Sequence, residues 1–331
     1  MMSAKSNHSW FSEIIIRALG SVISLTLARN RVCVINYHRV LAAPEPLLSS
    51  EPDIDTFRWQ MKLLARCFHV MTLKDALLAI SEGKVPSRAV CITFDDGYRS
   101  IHELALPVLN NLGLPATVFV SSGFIGQGSM WNDRIIEAVQ SMPIGELDLT
   151  DVGLGKYSLK EPVQREKVLE DLIEKSKYLP PLARDDLVNR ISLLSKKGLD
   201  DGPMLTSEMI VDLASHGIEI GAHTVSHPIL KSLDDIDSLR EISQSKADLE
   251  KILGKPVRYF AYPNGKVGVD FDERHVAMVR DAGFEAAFTT AIGTFGYKHD
   301  RYQLPRSRPW DATPLRFGLR LLQWFAQAQV R

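Results

Sequence analysis

The chain has 331 residues, of which 45% are hydrophobic and 24% are charged. This composition is typical of a globular protein that can bury one large core or two small ones. Lysine and arginine total 39 against 40 acidic residues, a formal net charge of -1, so the charge balance gives no sign of a polyanionic partner and we expect no nucleic-acid binding.

The first element is an apolar stretch at residues 10–28. Glu13 and Arg17 interrupt it, and no small-residue cleavage site follows, so it resembles neither a signal peptide nor a membrane span. We therefore predict an N-terminal amphipathic helical segment at residues 1–30, which packs on the core or else lies on a membrane surface. Packing is favoured, because an apolar stripe usually faces its own protein. A cytoplasmic location is expected, with peripheral contact to the inner membrane as the alternative.

Six apolar runs rich in strand-forming residues follow. They cover residues 31–37, 88–94, 115–122, 217–223, 256–262 and 284–290. Their apolar residues are continuous rather than alternating, as expected of strands buried on both faces. Helical patterns lie between them, several beginning with Ser, Thr or Asp and ending with Gly. Repeated strand and helix predicts a parallel sheet or an α/β barrel.

The alternation breaks at residues 126–203, where polar helical sequence such as residues 161–177 carries no strand-like run. We predict a helical insertion on one edge of the barrel rather than a separate domain, because the segment is short and poor in large apolar residues. At the C-terminus, residues 311–331 are predicted to form a second amphipathic helix.

Polar residues follow two of the predicted strands directly. Asp95 and Asp96 come directly after the run at 88–94. They therefore lie at the carboxyl end of a predicted strand, where functional groups collect in α/β folds. A plain turn is the alternative, because Asp-Gly is a common turn signal. His223 ends the run at 217–223, and His227 follows four residues later. Such a pair can bind one cation, unless one histidine caps a helix and the other lies on the surface.

The two sets together indicate a catalytic metal site. Two histidines and one carboxylate form a three-ligand set that leaves a metal position open for water. The second carboxylate then supplies a base next to the ligands.

The motifs at residues 93–97 (Thr-Phe-Asp-Asp-Gly) and 223–227 (His-Thr-Val-Ser-His) resemble those of the polysaccharide deacetylase family, also called NodB-homology or carbohydrate esterase family 4. The chain is most similar to the branch containing poly-N-acetylglucosamine deacetylases. This resemblance implies an irregular (β/α)7-type barrel as the catalytic domain, residues 31–310, with the amphipathic helices outside. It implies an N-acetylated glycan substrate.

The resemblance also implies roles for individual residues. Asp95 would be the general base, and Asp96, His223 and His227 would hold one divalent metal ion. Zn²⁺ is expected, with Co²⁺ or Ni²⁺ as alternatives, because this ligand set discriminates weakly between them. A third family motif is altered here to Phe-Ala-Tyr-Pro-Asn-Gly, without its arginine. Tyr262 in this segment is expected to line the substrate site, with a nearby backbone N–H as the oxyanion donor.

Two further residues complete the predicted site. His38, after the first strand, is the candidate general acid, with a hydrogen-bonded structural histidine as the alternative. Arg306 is the candidate partner of Asp95 and part of the substrate site. The implied function is hydrolysis of N-acetyl groups on the amino sugars of a polysaccharide. The alternatives are a non-catalytic carbohydrate-binding relative, and a metal-dependent O-acetyl esterase or other amidase acting on an envelope glycan.

Overall fold

The computed structural model describes residues 4–26, 29–194, 202–309 and 311–327. Within them the chain forms eleven α-helices: α1 Ala4–Thr26, α2 Ile54–Cys67, α3 Leu73–Glu82, α4 Leu106–Leu112, α5 Trp131–Ser141, α6 Pro162–Lys177, α7 Pro181–Leu193, α8 Ser207–Ser215, α9 Asp235–Leu253, α10 Glu273–Asp281 and α11 Pro314–Ala326. It also forms ten strands: β1 Val32–Tyr37, β2 His69–Val70, β3 Ala89–Phe94, β4 Thr117–Val120, β5 Glu146–Leu149, β6 Gly155–Ser158, β7 Glu219–Ala222, β8 Tyr259–Ala261, β9 Ala286–Phe288 and β10 Thr294–Phe295.

The main sheet is curled and mostly parallel. Its strand order is β10-β1-β3-β4-β7-β8-β9, with β2 also paired to β3. Each of the six predicted strand runs contains one of the parallel strands β1, β3, β4, β7, β8 and β9. All residues of β1, β3 and β4 are buried, as continuous apolar runs predict for strands covered on both faces.

Residues 304–307 close the sheet. Leu304 forms a parallel bridge to Phe288 in β9, and Ser307 forms one to Ile35 in β1. The Ser307 amide donates to the Val34 carbonyl at 2.8 Å. This segment therefore stands between the last and first parallel strands, and the prediction of an irregular (β/α)7-type barrel is confirmed.

Capping residues set the ends of the outer helices. Asp53 caps α2 by accepting from the Thr56 amide at 2.7 Å. Asp234 caps α9 by accepting from the Asp237 amide at 2.8 Å. Helix α9 ends at Gly254, whose φ of 64° is the left-handed conformation that glycine adopts without strain. Because these capping residues can be read from the sequence, it predicts where the outer helices begin and end.

The insertion differs from its prediction. It contains helices α5, α6 and α7, but β5 and β6 also form an antiparallel hairpin within it. The insertion is also not poor in apolar residues, because α5, α6 and α7 surround a separate buried cluster that includes Ile135, Leu172 and Ile191. Strands β5 and β6 were missed because each has only four residues and lies in no longer apolar run, so neither establishes a strand pattern.

The terminal helices pack on the barrel. Helix α1 contacts α11 and α2, and Ile16 is fully buried. A Cβ atom on Gly318 in α11 would lie 2.2 Å from Ile16 Cδ1, so glycine allows this close approach. Helix α1 therefore packs against its own protein, as the favoured prediction expects. Residues 1–3, 27, 28 and 328–331 of the predicted segments lie outside the described residues. No described helix is long and apolar enough to cross a membrane.

A candidate metal centre at the carboxyl end of the barrel

Three predicted ligands converge at the carboxyl ends of β3 and β7. Their ligand atoms all lie within 4.8 Å of one another. The Oδ1 atom of Asp96 is 3.5 Å from Nε2 of His223 and 3.4 Å from Nε2 of His227. Asp96 and His223 are buried, and His227 is partly exposed. The parallel sheet therefore brings together side chains that are more than 120 positions apart in the sequence.

The backbone at these residues is unusual. Asp96, Thr224 and His227 have φ values of 73°, 64° and 53°, so they supply three of the six left-handed non-glycine residues in the described chain. Such conformations cost free energy and cluster at functional sites. The Thr224 hydroxyl supports the loop by accepting from the His227 amide at 3.2 Å.

The donor set suits a divalent cation. Nδ1 of His223 lies 2.7 Å from the Ala261 carbonyl, which places the ring proton on Nδ1 and leaves the Nε2 lone pair facing Asp96. Burial lowers the pKa of His223 and of His227, so both are neutral at pH 7, the form that binds metals.

Among the described residues, no lysine or arginine forms an ion pair with Asp96, which lies near the two histidines alone. Its Oδ1 atom is buried without a hydrogen-bond partner in the described chain. Burial and the adjacent charge of Asp95 raise the pKa of Asp96 well above its usual value. Burying a charge is costly unless it is paired or bound to a metal, so a cation between Asp96 and the two imidazoles would offset this cost.

Asp95 is held in a different environment. Arg306 donates to its Oδ1 at 2.6 Å and its Oδ2 at 2.9 Å, and Asn36 Nδ2 donates to Oδ2 at 2.9 Å. Although burial opposes ionisation, the Arg306 guanidinium lowers the pKa of Asp95 below its usual range. Asp95 is therefore ionised at neutral pH. The expected pairing with Arg306 is present, and the barrel-closing segment at 304–307 delivers it.

His38 follows β1 as Asp95 follows β3. Tyr37 pairs with Phe94 in parallel register, so His38 and Asp95 occupy neighbouring positions at the same end of the barrel. Burial, with the nearby charge of Arg308, lowers the pKa of His38 to about 4, and the ring is neutral at pH 7. Its Nδ1 has no hydrogen-bond partner in the described residues, unlike the structural histidine considered as the alternative.

The structure does not place Tyr262 at the site. Its side chain is fully buried and stacks on Phe271 with ring centroids 3.7 Å apart. Its hydroxyl donates to the Tyr302 carbonyl at 3.0 Å, and its amide donates to the Phe288 carbonyl at 3.0 Å. Neither group is available to substrate, so the expectation that Tyr262 lines the site is wrong: the residue completes the barrel core instead.

Sequence reasoning missed Glu241, which holds the loop between the two histidines. From α9, its carboxylate accepts from the amides of Val225 and Ser226 at 2.8 Å each and from the Ser226 hydroxyl at 2.7 Å. It thereby fixes the residues that precede His227. No sequence signal identified it, because it lies in the middle of an ordinary amphipathic helix.

A second missed group connects the insertion to the barrel. Asp133 in α5 is buried and accepts from Arg39 and, at 3.2 Å, from the Tyr98 hydroxyl. The guanidinium carbon of Arg39 lies 3.7 Å from the centre of the Tyr98 ring. The charge of Asp133 also raises the pKa of Asp96, which indicates that α5 begins near the metal ligands.

Comparison with known proteins identifies the family. The model of the family described as "Polysaccharide deacetylase" matches residues 82–287, more than half of the chain. The chain belongs to the polysaccharide deacetylase family. One relative, a poly-β-1,6-N-acetyl-D-glucosamine N-deacetylase of Staphylococcus epidermidis, is 31% identical over 298 residues, which cover 85% of this chain and 80% of the relative.

Other relatives of this family member are matched over less of their length. An enzyme of the same name from Staphylococcus aureus is 28% identical over 178 residues, 47% of this chain and 61% of the relative. A Bacillus subtilis relative is 22% identical over 73% of this chain and 59% of its own length. The chain thus spans about three fifths of the length of these two relatives.

Solved structures support the barrel fold. The Streptococcus pyogenes deacetylase PplD in complex with acetate has a TM-score of 0.58 at 17% identity, over 89% of this chain and 98% of its own. IcaB from Ammonifex degensii has a TM-score of 0.56 at 19% identity, over 90% and 98%.

Proposed function

We propose that this protein is a metal-dependent hydrolase that removes N-acetyl groups from the amino sugars of a polysaccharide. The observation that carries the proposal is the placement of an ionised carboxylate, Asp95, next to the Asp96–His223–His227 set in sequence and in the barrel. Two relatives named as poly-β-1,6-N-acetyl-D-glucosamine N-deacetylases support an N-acetylated glycan as substrate.

The metal ligands and the base have separate tasks in this proposal. A divalent cation held by Asp96, His223 and His227, with Zn²⁺ expected and Co²⁺ or Ni²⁺ as alternatives, would supply a Lewis acid for the acetyl carbonyl and the attacking water. Asp95 takes a proton from that water. Arg306 and Asn36 fix its two oxygens, so the carboxylate stays ionised and cannot rotate freely.

The leaving amine also needs a proton, and we assign this transfer to His38. Because the pKa of His38 is about 4, its ring is uncharged when substrate binds at neutral pH. For the protons to balance, it must gain the proton that Asp95 took from the water before it passes a proton to the leaving nitrogen, which leaves both groups in their starting states. Its unpaired Nδ1 provides the position at which that proton can be accepted.

The alternatives differ in what they require. A non-catalytic carbohydrate-binding protein needs no base beside a metal site, whereas Asp95 is held by three hydrogen bonds in an ionised state. An O-acetyl esterase would use the same metal and base. The names of the relatives favour the amide, and a direct comparison of substrates tests the choice.

The test measures acetate release from glucosamine oligomers that carry either N-acetyl or O-acetyl groups. The protein is first treated with a chelator and then supplied with Zn²⁺, Co²⁺ or Ni²⁺. We expect release from the N-acetylated oligomer only after metal is restored. Release from the O-acetylated oligomer alone would support the esterase, and no release from either, with a metal-loaded and folded protein, would contradict hydrolysis of acetyl groups.

A further inference from the structure

The insertion places two buried hydrogen-bond donors beside the metal-binding loop, the segment at residues 224–226 that joins the two histidine ligands. Arg184 in α7 is 3% exposed, and Trp131, the first residue of α5, is 6% exposed. The Arg184 guanidinium carbon lies 5.0 Å from the centre of the Trp131 ring. Its NH2 group is 3.5 Å from the carbonyl of Ser226, the residue before His227. The positive charge of Arg184 also lowers the pKa of His227.

Both side chains keep donors that the protein does not use. Nε of Arg184 and Nε1 of Trp131 are buried without an acceptor in the described residues. The Ser226 contact is long for a hydrogen bond to a guanidinium, so it leaves most of the donating capacity of Arg184 unused. Two such donors on neighbouring side chains are suited to a ligand rich in acceptor oxygens.

Arg184 also has no ion-pair partner among the described residues. Among the described residues no carboxylate oxygen lies within the 4.0 Å of an ion pair with it, whereas the buried cations Arg39 and Arg306 each have an aspartate partner. Asp185 and Glu241 act on Arg184 electrostatically. Asp185 is exposed to solvent, and the Glu241 oxygens already accept from Val225 and Ser226.

A buried cation without a counter-charge is unfavourable, and this decides which ligand class suits the pair. Water or an acetamide oxygen could accept the free N–H groups, but neither would neutralise the charge. A carboxylate or phosphate does both, since its oxygens form charge-assisted hydrogen bonds with a guanidinium.

We propose that Arg184 and Trp131 form a subsite that binds an anionic group carried by the glycan, next to the metal centre. The identity of the ligand as a glycan rests on the proposed function, but anion binding itself requires no turnover. The insertion would then select acidic N-acetylated sugars, while the barrel performs the hydrolysis.

The first experiment uses calorimetry on the full chain and compares three sugars with the same ring. N-acetylglucosamine is neutral, N-acetylglucosamine 6-phosphate carries a phosphate, and N-acetylmuramic acid carries a carboxylate. We expect at least one anionic sugar to bind about tenfold or more tightly than the neutral one, the effect of gaining one charge-assisted hydrogen bond. The tighter of the two anionic sugars identifies the group. The preference should persist after chelation, because the subsite does not include the metal ligands.

Variants then locate the binding. Arg184→Met should remove the preference, and Arg184→Lys should retain part of it. Arg190→Met is the matched control, because Arg190 lies in the same helix and pairs with Asp151 at the surface. Equal binding of all three sugars by the wild type, or a preference that disappears with the metal, would overturn the proposal even if Arg184 variants do not fold. So would an unchanged preference in Arg184→Met. Acetate release from neutral oligomers is scored separately, and its absence would count against the hydrolase and not against the anion subsite.

Discussion

At the scale of single residues, Asp96 is where function conflicts with stability. Burial and the charge of Asp95 raise the pKa of its carboxyl group. In the metal-free protein, Asp96 therefore contributes folding stability below the unfolded pKa of about 3.9, and this contribution is lost as pH rises through the higher folded pKa. Above that folded pKa, the metal-free wild type carries an unfavourable buried charge.

Asp96→Asn is expected to stabilise the metal-free protein at pH 7 while abolishing stabilisation by added metal. Asparagine adopts the left-handed backbone of this position readily, and it removes an ionisable carboxyl group from a buried site. Leaving a buried polar group unsatisfied costs about 1–3 kcal/mol, and a charged group costs more. Thermal unfolding with and without Zn²⁺ measures both effects. Metal-dependent stabilisation of the variant equal to that of wild type would remove Asp96 from the ligand set.

A second single residue, Arg306, controls the protonation of Asp95. Because Arg306 lowers the pKa of Asp95, the carboxylate contributes stability above its unfolded pKa and loses it as pH falls through the lower folded value. Arg306→Lys keeps the charge but loses the bidentate geometry. We expect the acidic limb of the rate profile to move to higher pH, as the pKa of Asp95 rises.

The pH dependence of acetate release checks this shift. Arg320→Lys is the matched control, because Arg320 makes a two-point contact with Asp311 away from the site and should leave the profile unchanged. If both variants shared the wild-type profile, the ionisation of Asp95 would not limit the reaction.

Sequence predicted site residues that follow strand-like runs and missed those that act from helices. Asp95, Asp96, His223 and His227 lie in two short motifs that follow apolar runs, so their convergence followed from the parallel sheet alone. Glu241 and Arg184 become visible only when their helices pack, because neither belongs to a motif. Tyr262 was misplaced because its position after a strand does not reveal that its ring turns into the barrel.

At the scale of elements, α9 positions the metal-binding loop through Glu241. Glu241→Gln should weaken metal affinity about 10- to 100-fold, the usual effect of losing a group that orients ligands, because an amide oxygen accepts less strongly from three donors and its NH2 group opposes them. Metal titration measures the change.

Glu250→Gln provides the comparison for this variant. Glu250 lies on the same helix and also accepts from a backbone amide, that of Val257 at 3.0 Å, but it does not contact the loop. Equal metal affinity in both variants would mean that Glu241 does not orient the metal ligands. The loop would then be held by hydrogen bonds within its own turn.

The elements themselves were predictable where burial is uniform. The six parallel strands lie within longer apolar runs of the sequence. Strands β2 and β10 have two residues each and carry no periodic signal. The π-helical turn Ile101–Ala105 before α4 has no sequence signature of its own. The hairpin of β5 and β6 was hidden because polar residues alternate with apolar ones over only four positions.

At the scale of the whole molecule, the ends of the chain cover one side of the barrel. Ile16 in α1 is buried against Gly318 in α11, whereas Ile14 on the same helix is 45% exposed. Ile16→Ala should destabilise the fold by about 2–5 kcal/mol, and Ile14→Ala should change it by about 0.5 kcal/mol or less.

Chemical denaturation measures both variants, and metal content at low denaturant should be unchanged in each. Equal stability would mean that α1 is not part of the packed molecule. Cytoplasmic location and peripheral membrane contact stay predictions, because helix packing within the protein does not decide them.

Two neighbouring aspartates have different roles in the proposed mechanism, since Asp95 is the base and Asp96 a metal ligand, and Asp95→Asn separates these roles. Metal content and acetate release from an N-acetylated glucosamine oligomer are measured on the same samples of variant and wild type. We expect Asp95→Asn to keep about one metal ion per chain while acetate release falls about 10²- to 10⁴-fold, the usual effect of losing a general base. A variant that is fully loaded with metal and turns over at a near-normal rate would contradict it.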